Sequence, residues 1–337
     1  MRSPEPALSV VVVTKDVYQT LRPVVTALGR QTIADRIELV VVAPAAARGA
    51  VPRSDAVAFH SVQVVEVGPV SNRGRAAAHG VAAARAPIIA LTENHCFPDP
   101  DWAELTLEIY REGPWAAVGP SVQNGNPERF RSRAMHSFGY GRFPRTGAAG
   151  PMEELPLHNS SFRREVLQMP IAELEQLLGN ERRLHRRLHD EGKVLYFDPR
   201  ATKWHLSEAT WRLLTGMWFC GGRGYGAGRT RGWPSWKRAI YAAAAPLLTF
   251  PIAANVWKRL DTADPLPRTL GLGLVVLAGS ACHAAGEFLS YVGVVRTEFP
   301  FVEAEEFMIR ERLGGTALRI PHVAALVREL DRIPEAQ

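Results

Sequence analysis

Residues 88–95 read IIALTENH. Ile88, Ile89, Ala90 and Leu91 form an apolar run without helical spacing, which predicts a strand buried in a parallel sheet. Open α/β sheets bind ligands beyond the carboxyl ends of such strands, so Glu93, Asn94 and His95 stand where chemistry is expected. The plainer use of Thr92, Glu93 and Asn94 is to cap a following helix, since PDPDW comes next at 98–102. A cap needs only one such residue, and here three stand in a row.

On the N-terminal side, LSVVVV (8–13), IELVVV (37–42) and VQVVEV (62–67) alternate with the helix-like YQTLRPVVTALGRQ (18–31) and RGRAAAHGVAAAR (73–85). Strands separated by helical stretches predict βαβ units, hence a doubly wound α/β domain with helices on both sheet faces. On the other side, WAAVGP (115–120) reads as a further strand and residues 121–150, rich in Gly, Arg and Pro, as an exposed loop. REVLQ (164–168) and IAELEQLLGNERRLHRRLHDEG (171–192) read as helices, the second ending at Gly192, and KVLYFDP (193–199) as a strand. No internal repeat is visible.

With 337 residues, 46% of them hydrophobic, the chain has material for about two domains and a real core. Its net charge of +6 points to anionic partners such as nucleotide diphosphates, acidic lipid headgroups or nucleic acid. Cys96, Cys220 and Cys282 are odd in number and far apart, which argues against a disulfide framework or a zinc ribbon and fits a reducing cytoplasm. The N-terminal apolar run is too short and β-branched for a signal peptide, so the catalytic part is expected inside the cell.

From about residue 210 the composition changes. Residues 211–238 mix Trp, Arg and Gly and read as a linker between a catalytic domain at 1–210 and two apolar stretches within 239–295; a helical tail is expected at 296–337. The first stretch, 239–257, is flanked by Lys237, Arg238, Lys258 and Arg259, with Trp233, Trp236 and Trp257 near its ends, as at membrane interfaces. The second, 270–295, is long enough to cross a bilayer and carries only His283 and Glu287 as polar exceptions. A membrane hairpin, an interfacial pair and a buried helical core all remain open, because Pro246 and Pro251 interrupt the first stretch.

The blocks LSVVVVTKD, RGRAAAHGVAAARAPIIALTENHCFPDPDW, HNSSFRREVL and NERRLHRRLHDEGKVLYFDPRATKWH occur in the order and spacing of a family 2 glycosyltransferase, the inverting type with a GT-A nucleotide-diphospho-sugar transferase fold. The resemblance covers roughly 8–210. It implies donor contacts from Thr14, Lys15, Asp16, Arg75, Glu93 and Asn94, and a divalent metal, Mg²⁺ or Mn²⁺, on Glu93, His95 and His205. It also implies acceptor or sugar contacts from His158 and Asn159, and a catalytic base at Glu181. The chemistry suits such groups, since a diphosphate leaving group needs its charge stabilised and an attacking hydroxyl needs a base. Asn94 departs from the family's acidic pattern, as does VVVAPAA (40–46) at the end of the second strand. The partners implied are a nucleotide-sugar donor, a lipid or glycan acceptor and the cytoplasmic face of the cell membrane, without nucleic acid. The alternative is a non-catalytic scaffold of the same fold with a degenerate donor site.

GGRGYGAG (221–228) contains a GxG pattern, but no apolar strand precedes it, so a dinucleotide fingerprint is not read there. His185 and His189 share a helix face without the glutamate of HExxH and are expected to be solvated. The Arg-rich helix carries no recognised nucleic-acid motif.

Overall fold

The structure, a computed structural model, describes residues 5–15, 17–207, 210–230, 232–260 and 266–294. Asp16, Arg231, most of the connection between the two apolar stretches and the expected tail at 296–337 lie outside the described residues. The described residues divide into two compact units: one holds those through Gly125 and Phe143–His205, the other Asn126–Arg142 and those from Leu206 through Val294.

In the first unit, β1 (Leu8–Val13) leads to α1 (Tyr18–Gly29), β2 (Ile37–Ala43), the single turns α2 (Ala46–Gly49) and α3 (Arg53–Ala56), and β3 (Ser61–Glu66). Then come α4 (Arg73–Ala83), β4 (Ile88–Thr92), β5 (Cys96–Pro98), α5 (Trp102–Glu112) and β6 (Ala117–Asn124). In chain order, α6 (Phe130–Tyr140) falls in the second unit, and β7 (Gly150–Pro151), β8 (Ser161–Arg163), α7 (Ile171–Leu178), α8 (Glu181–Asp190) and β9 (Leu195–His205) return to the first. The sheet runs β3-β2-β1-β4-β8-β6-β9-β5, with β7 on β9. Its β3-β2-β1-β4 half is parallel, as the Val- and Ile-rich runs predict, and β1, β2 and β4 are buried along their whole length. Beyond β4 the sheet becomes mixed, because β8 pairs antiparallel with both β4 and β6.

Three local expectations change. Thr92, Glu93 and Asn94 do not cap a helix: a turn closed by Cys96 N–H donating to Glu93 O (3.1 Å) leads into β5, and α5 begins only at Trp102. The expected 121–150 loop contains the end of β6 and α6. The single helix expected over 171–192 breaks at Gly179 and Asn180, which places Glu181 in the first turn of α8. Gly74 lets α4 meet α7 closely, since a Cβ there would lie 1.8 Å from the Leu178 carbonyl oxygen.

The second unit is helical. The stretch expected as linker is instead α9 (Trp211–Arg229), followed by α10 (Ser235–Ala244), α11 (Thr249–Trp257) and α12 (Leu266–Tyr291). GGRGYGAG lies inside α9 as a packing surface. A Cβ on Gly222 would sit 1.9 Å from the His283 carbonyl oxygen, and one on Gly286 2.2 Å from that of Phe219. Small residues thus let α9 and α12 approach backbone to backbone. Trp218 fills the adjoining core against Leu214, Val275 and Val276 and stacks on Phe138 at 4.2 Å between centroids.

Candidate active site

The buried run of β4 delivers Glu93 to the carboxyl end of the parallel strands, where it is only 2% exposed. On β9, alternate residues share a face, so Lys203 and His205 both turn toward the β4 end. Around Glu93 the groups are close. Arg73 Nη1, from the first turn of α4, lies 3.2 Å from Oε1, His205 Nε2 3.1 Å from Oε2 and His95 Nε2 3.8 Å from Oε1. Asn159 Nδ2 donates to Oε2 at 2.6 Å. The two imidazoles meet edge to face at 4.7 Å, and His95 Nδ1 pairs with Asn94 Oδ1 at 2.8 Å.

Burial by itself pushes the Glu93 carboxyl up, but Arg73, then His95 and His205, outweigh it and hold the group well below the usual carboxylate range. The carboxylate is therefore ionised. Lys203, fully buried, donates from Nζ to the Leu91 carbonyl at 3.0 Å and rests 4.3 Å over the Trp102 ring. Burial lowers it to about 8.

One ligand atom each from Glu93, His95 and His205 lie within 4.8 Å of one another. A carboxylate oxygen with two imidazole nitrogens is a donor set that suits a divalent first-row cation, and Mn²⁺ better than Mg²⁺, which favours all-oxygen shells. The residues fit the metal that the family resemblance implies.

A second cluster adjoins the first. Glu181, whose side chain is fully buried, accepts the His158 backbone N–H at 2.9 and 3.0 Å, and His158 Nδ1 lies 2.6 Å from Glu181 Oε1. His158 has φ 60, the left-handed region that side chains seldom adopt, and its neighbour Asn159 is the residue that holds Glu93. Two consecutive residues therefore tie the metal-type cluster to the Glu181 carboxylate.

Among the remaining expected residues, Thr14 is buried beyond β1 and donates its N–H to Val42 O at 2.9 Å, while Lys15 is half-buried. Arg75 is exposed on α4, and the arginine brought to Glu93 is Arg73, two residues earlier. Sequence reasoning missed Arg73 and Lys203. The available signals were the first-turn position of Arg73 and the i, i+2 spacing of Lys203 from His205. His185 is 1% exposed rather than solvated, and burial pushes its pKa down. His189 is held from Nε2 by the Glu153 carbonyl at 3.0 Å.

The parallel half-sheet thus ends, at β4, in a carboxylate among imidazoles and an arginine, at the position where open α/β sheets bind ligands. Residues 9–169 match the family model described as Glycosyl transferase family 2. The match contains Arg73, Glu93, His95, His158 and Asn159 and stops short of Glu181, Lys203 and His205. No curated protein matches the chain. Among solved structures, GalNAc-T7 with UDP, GalNAc and Mn²⁺ is similar at TM-score 0.44 and 14% identity, over 59% of this chain and 43% of that one. S. aureus TarS 1-349 in complex with UDP is similar at TM-score 0.45 and 11% identity, over 85% of this chain and 91% of that one. The chain thus spans less than half the length of the GalNAc-T7 chain.

Proposed function

We propose that this chain transfers a sugar from a nucleotide-sugar donor, with inversion, to a hydroxyl of a lipid or glycan acceptor at the cytoplasmic face of a membrane. The observation that carries the reading is the buried Glu93 carboxylate between His95 and His205 at the carboxyl end of β4. Glu93, His95 and His205 would hold a divalent cation, Mn²⁺ in preference to Mg²⁺, which would supply charge stabilisation to the diphosphate leaving group. Arg73 adds a fixed positive charge beside the same carboxylate. Thr14, Lys15, Arg75 and Asn94 line the donor side, and His158 and Asn159 face the sugar and acceptor.

Glu181 serves as the base centre. Its carboxylate is held against His158, so a proton taken from the acceptor hydroxyl is received by a pair of groups fixed in place before substrate arrives. Inversion follows from a single displacement at the anomeric carbon on the face opposite the leaving diphosphate.

The second unit supplies the membrane attachment. Two helical stretches, Ser235–Trp257 and Arg268–Tyr291, are long and apolar enough to cross a membrane. Their burial pattern supports lipid contact. α12 buries Ser280, His283, Glu287 and Ser290 while exposing Leu270, Leu274, Leu277 and Phe288, the reverse of a water-facing helix. Along α10, the 3-10 turn Ala245–Leu248 and α11, the residues Trp236, Ile240, Leu247 and Phe250 form an exposed apolar stripe.

A non-catalytic scaffold is favoured by one observation, the Arg73 guanidinium that already pairs with the Glu93 carboxylate. Incubating the purified full chain with a panel of nucleotide sugars and Mn²⁺, and measuring release of the nucleoside diphosphate, separates the two. Metal-dependent release from one donor supports transfer, and none across the panel supports the scaffold.

A further inference from the structure

The end of α9 and the start of α10 gather three cations and several aromatic rings around the end of α12. Arg229 Cζ lies 5.2, 5.5 and 5.0 Å from the ring centres of Tyr225, Trp233 and Tyr241. Its Nη1 is 3.8 Å from Glu287 Oε2. Lys237 Nζ sits 4.1 Å over the Trp233 ring. Arg238 donates from Nε to the Tyr291 carbonyl at 3.0 Å and from Nη2 to that of Ser290 at 3.3 Å.

These contacts fix the cations without cancelling them. Ring faces and backbone carbonyls carry no net charge, and Glu287 is the only carboxylate paired with the group among the described residues, so the cluster keeps a positive balance. Its position along the helices matters as much. The exposed apolar stripe of α10 begins beside it, at Trp236 (66% exposed) and Ile240 (57%), and that of α12 ends beside it, at Phe288 and Val292. Apolar stripes that terminate in a ring of Trp, Tyr, Lys and Arg mark the depth at which acyl chains give way to headgroups.

We propose that this basic and aromatic cluster binds the phosphate of anionic bilayer phospholipids and sets the membrane–water boundary of the second unit. Arg229, Lys237 and Arg238 meet the headgroup, while Trp233 and Tyr241 lie at the level of the glycerol backbone. The inference rests on the membrane-attachment part of the proposed function and is independent of the donor site.

The test uses the full chain mixed with vesicles of equal parts phosphatidylglycerol and phosphatidylcholine, recovered by flotation, extracted in mild detergent and examined by native mass spectrometry. Retained phosphatidylglycerol should exceed phosphatidylcholine by at least about tenfold, from several basic residues each worth about fivefold in lipid partition. Arg229→Gln/Lys237→Gln/Arg238→Gln should abolish the preference, while Lys258→Gln/Arg259→Gln/Arg268→Gln, at other basic positions, should keep it. Because Arg238 also caps α12, Lys237→Gln alone serves as the mild variant and should lower the preference about fivefold with unchanged circular dichroism. Equal retention of both lipids, or a preference that survives the first triple variant, overturns the proposal. Failure to float with any vesicle overturns membrane attachment itself, and the inference with it.

Discussion

His158 Nδ1 lies 2.6 Å from Glu181 Oε1, and the same carboxylate receives the His158 backbone N–H at 2.9 and 3.0 Å. A residue at φ 60 is thus pinned through its main chain and its ring by one buried acid. A backbone held in so sparsely populated a region stores strain of about 1 kcal/mol or more, and such strain gathers at sites where geometry matters.

Glu181→Gln keeps the shape of the acid and removes its basicity. Transfer or donor hydrolysis should fall at least about 100-fold, the low end of a general-base contribution, with donor affinity unchanged. Steady-state rates beside a direct binding titration check this. Near-normal turnover places the base elsewhere, with Glu173, Glu175 and Asp190 the next carboxylates to test.

Lys203 gives the fold a pH signature. Burial lowers its pKa from 10.5 to about 8, so the unfolded chain binds this proton more tightly than the folded one. Folding stability is therefore penalised in full below about pH 8, and the penalty fades as pH rises from about 8 to 10.5. Relative to Lys203→Met, the native chain should gain stability over that window by up to roughly 3 kcal/mol. Melting temperatures of both chains across the window, read as a difference, test the sign.

Two glycines of α9 should behave oppositely. Gly222 has the His283 carbonyl oxygen 1.9 Å from where a Cβ would stand, whereas nothing lies within 4 Å of that position at Gly224. Gly222→Ala should push α9 from α12 and cost about 2 kcal/mol or more. Gly224→Ala should be neutral or stabilise by up to about 1 kcal/mol through helix propensity. Thermal unfolding of the two variants in the same detergent distinguishes them.

Much of the parallel half-sheet was legible because LSVVVV, IELVVV and IIAL are buried on both faces and carry no competing helical period. The mixed half was less so. β8 is three residues long and β5 three, too short to show a period, and β9 runs on through RATKWH, where polar residues hide a buried strand. The site shows the same division. Glu93, His95 and His205 were visible from strand position and family-like order, whereas the choice of Arg73 over Arg75 depends on which side of α4 faces β4. The linker expected at 211–238 was misread because glycines that pack two helices together look, in a sequence, like glycines of a loop.

The most direct measurement of the central claim is the melting temperature of the full chain with a panel of nucleoside diphosphates, each with and without Mn²⁺. If Glu93, His95 and His205 hold the cation on a donor diphosphate, one nucleotide should raise the melting temperature more with Mn²⁺ than without, because a ligand that binds only the folded state stabilises it by mass action. Glu93→Ala and His95→Ala should each remove the Mn²⁺-dependent part. A shift that is identical with and without Mn²⁺, or a Mn²⁺-dependent shift that both variants retain, would contradict the assignment of these residues as the metal site.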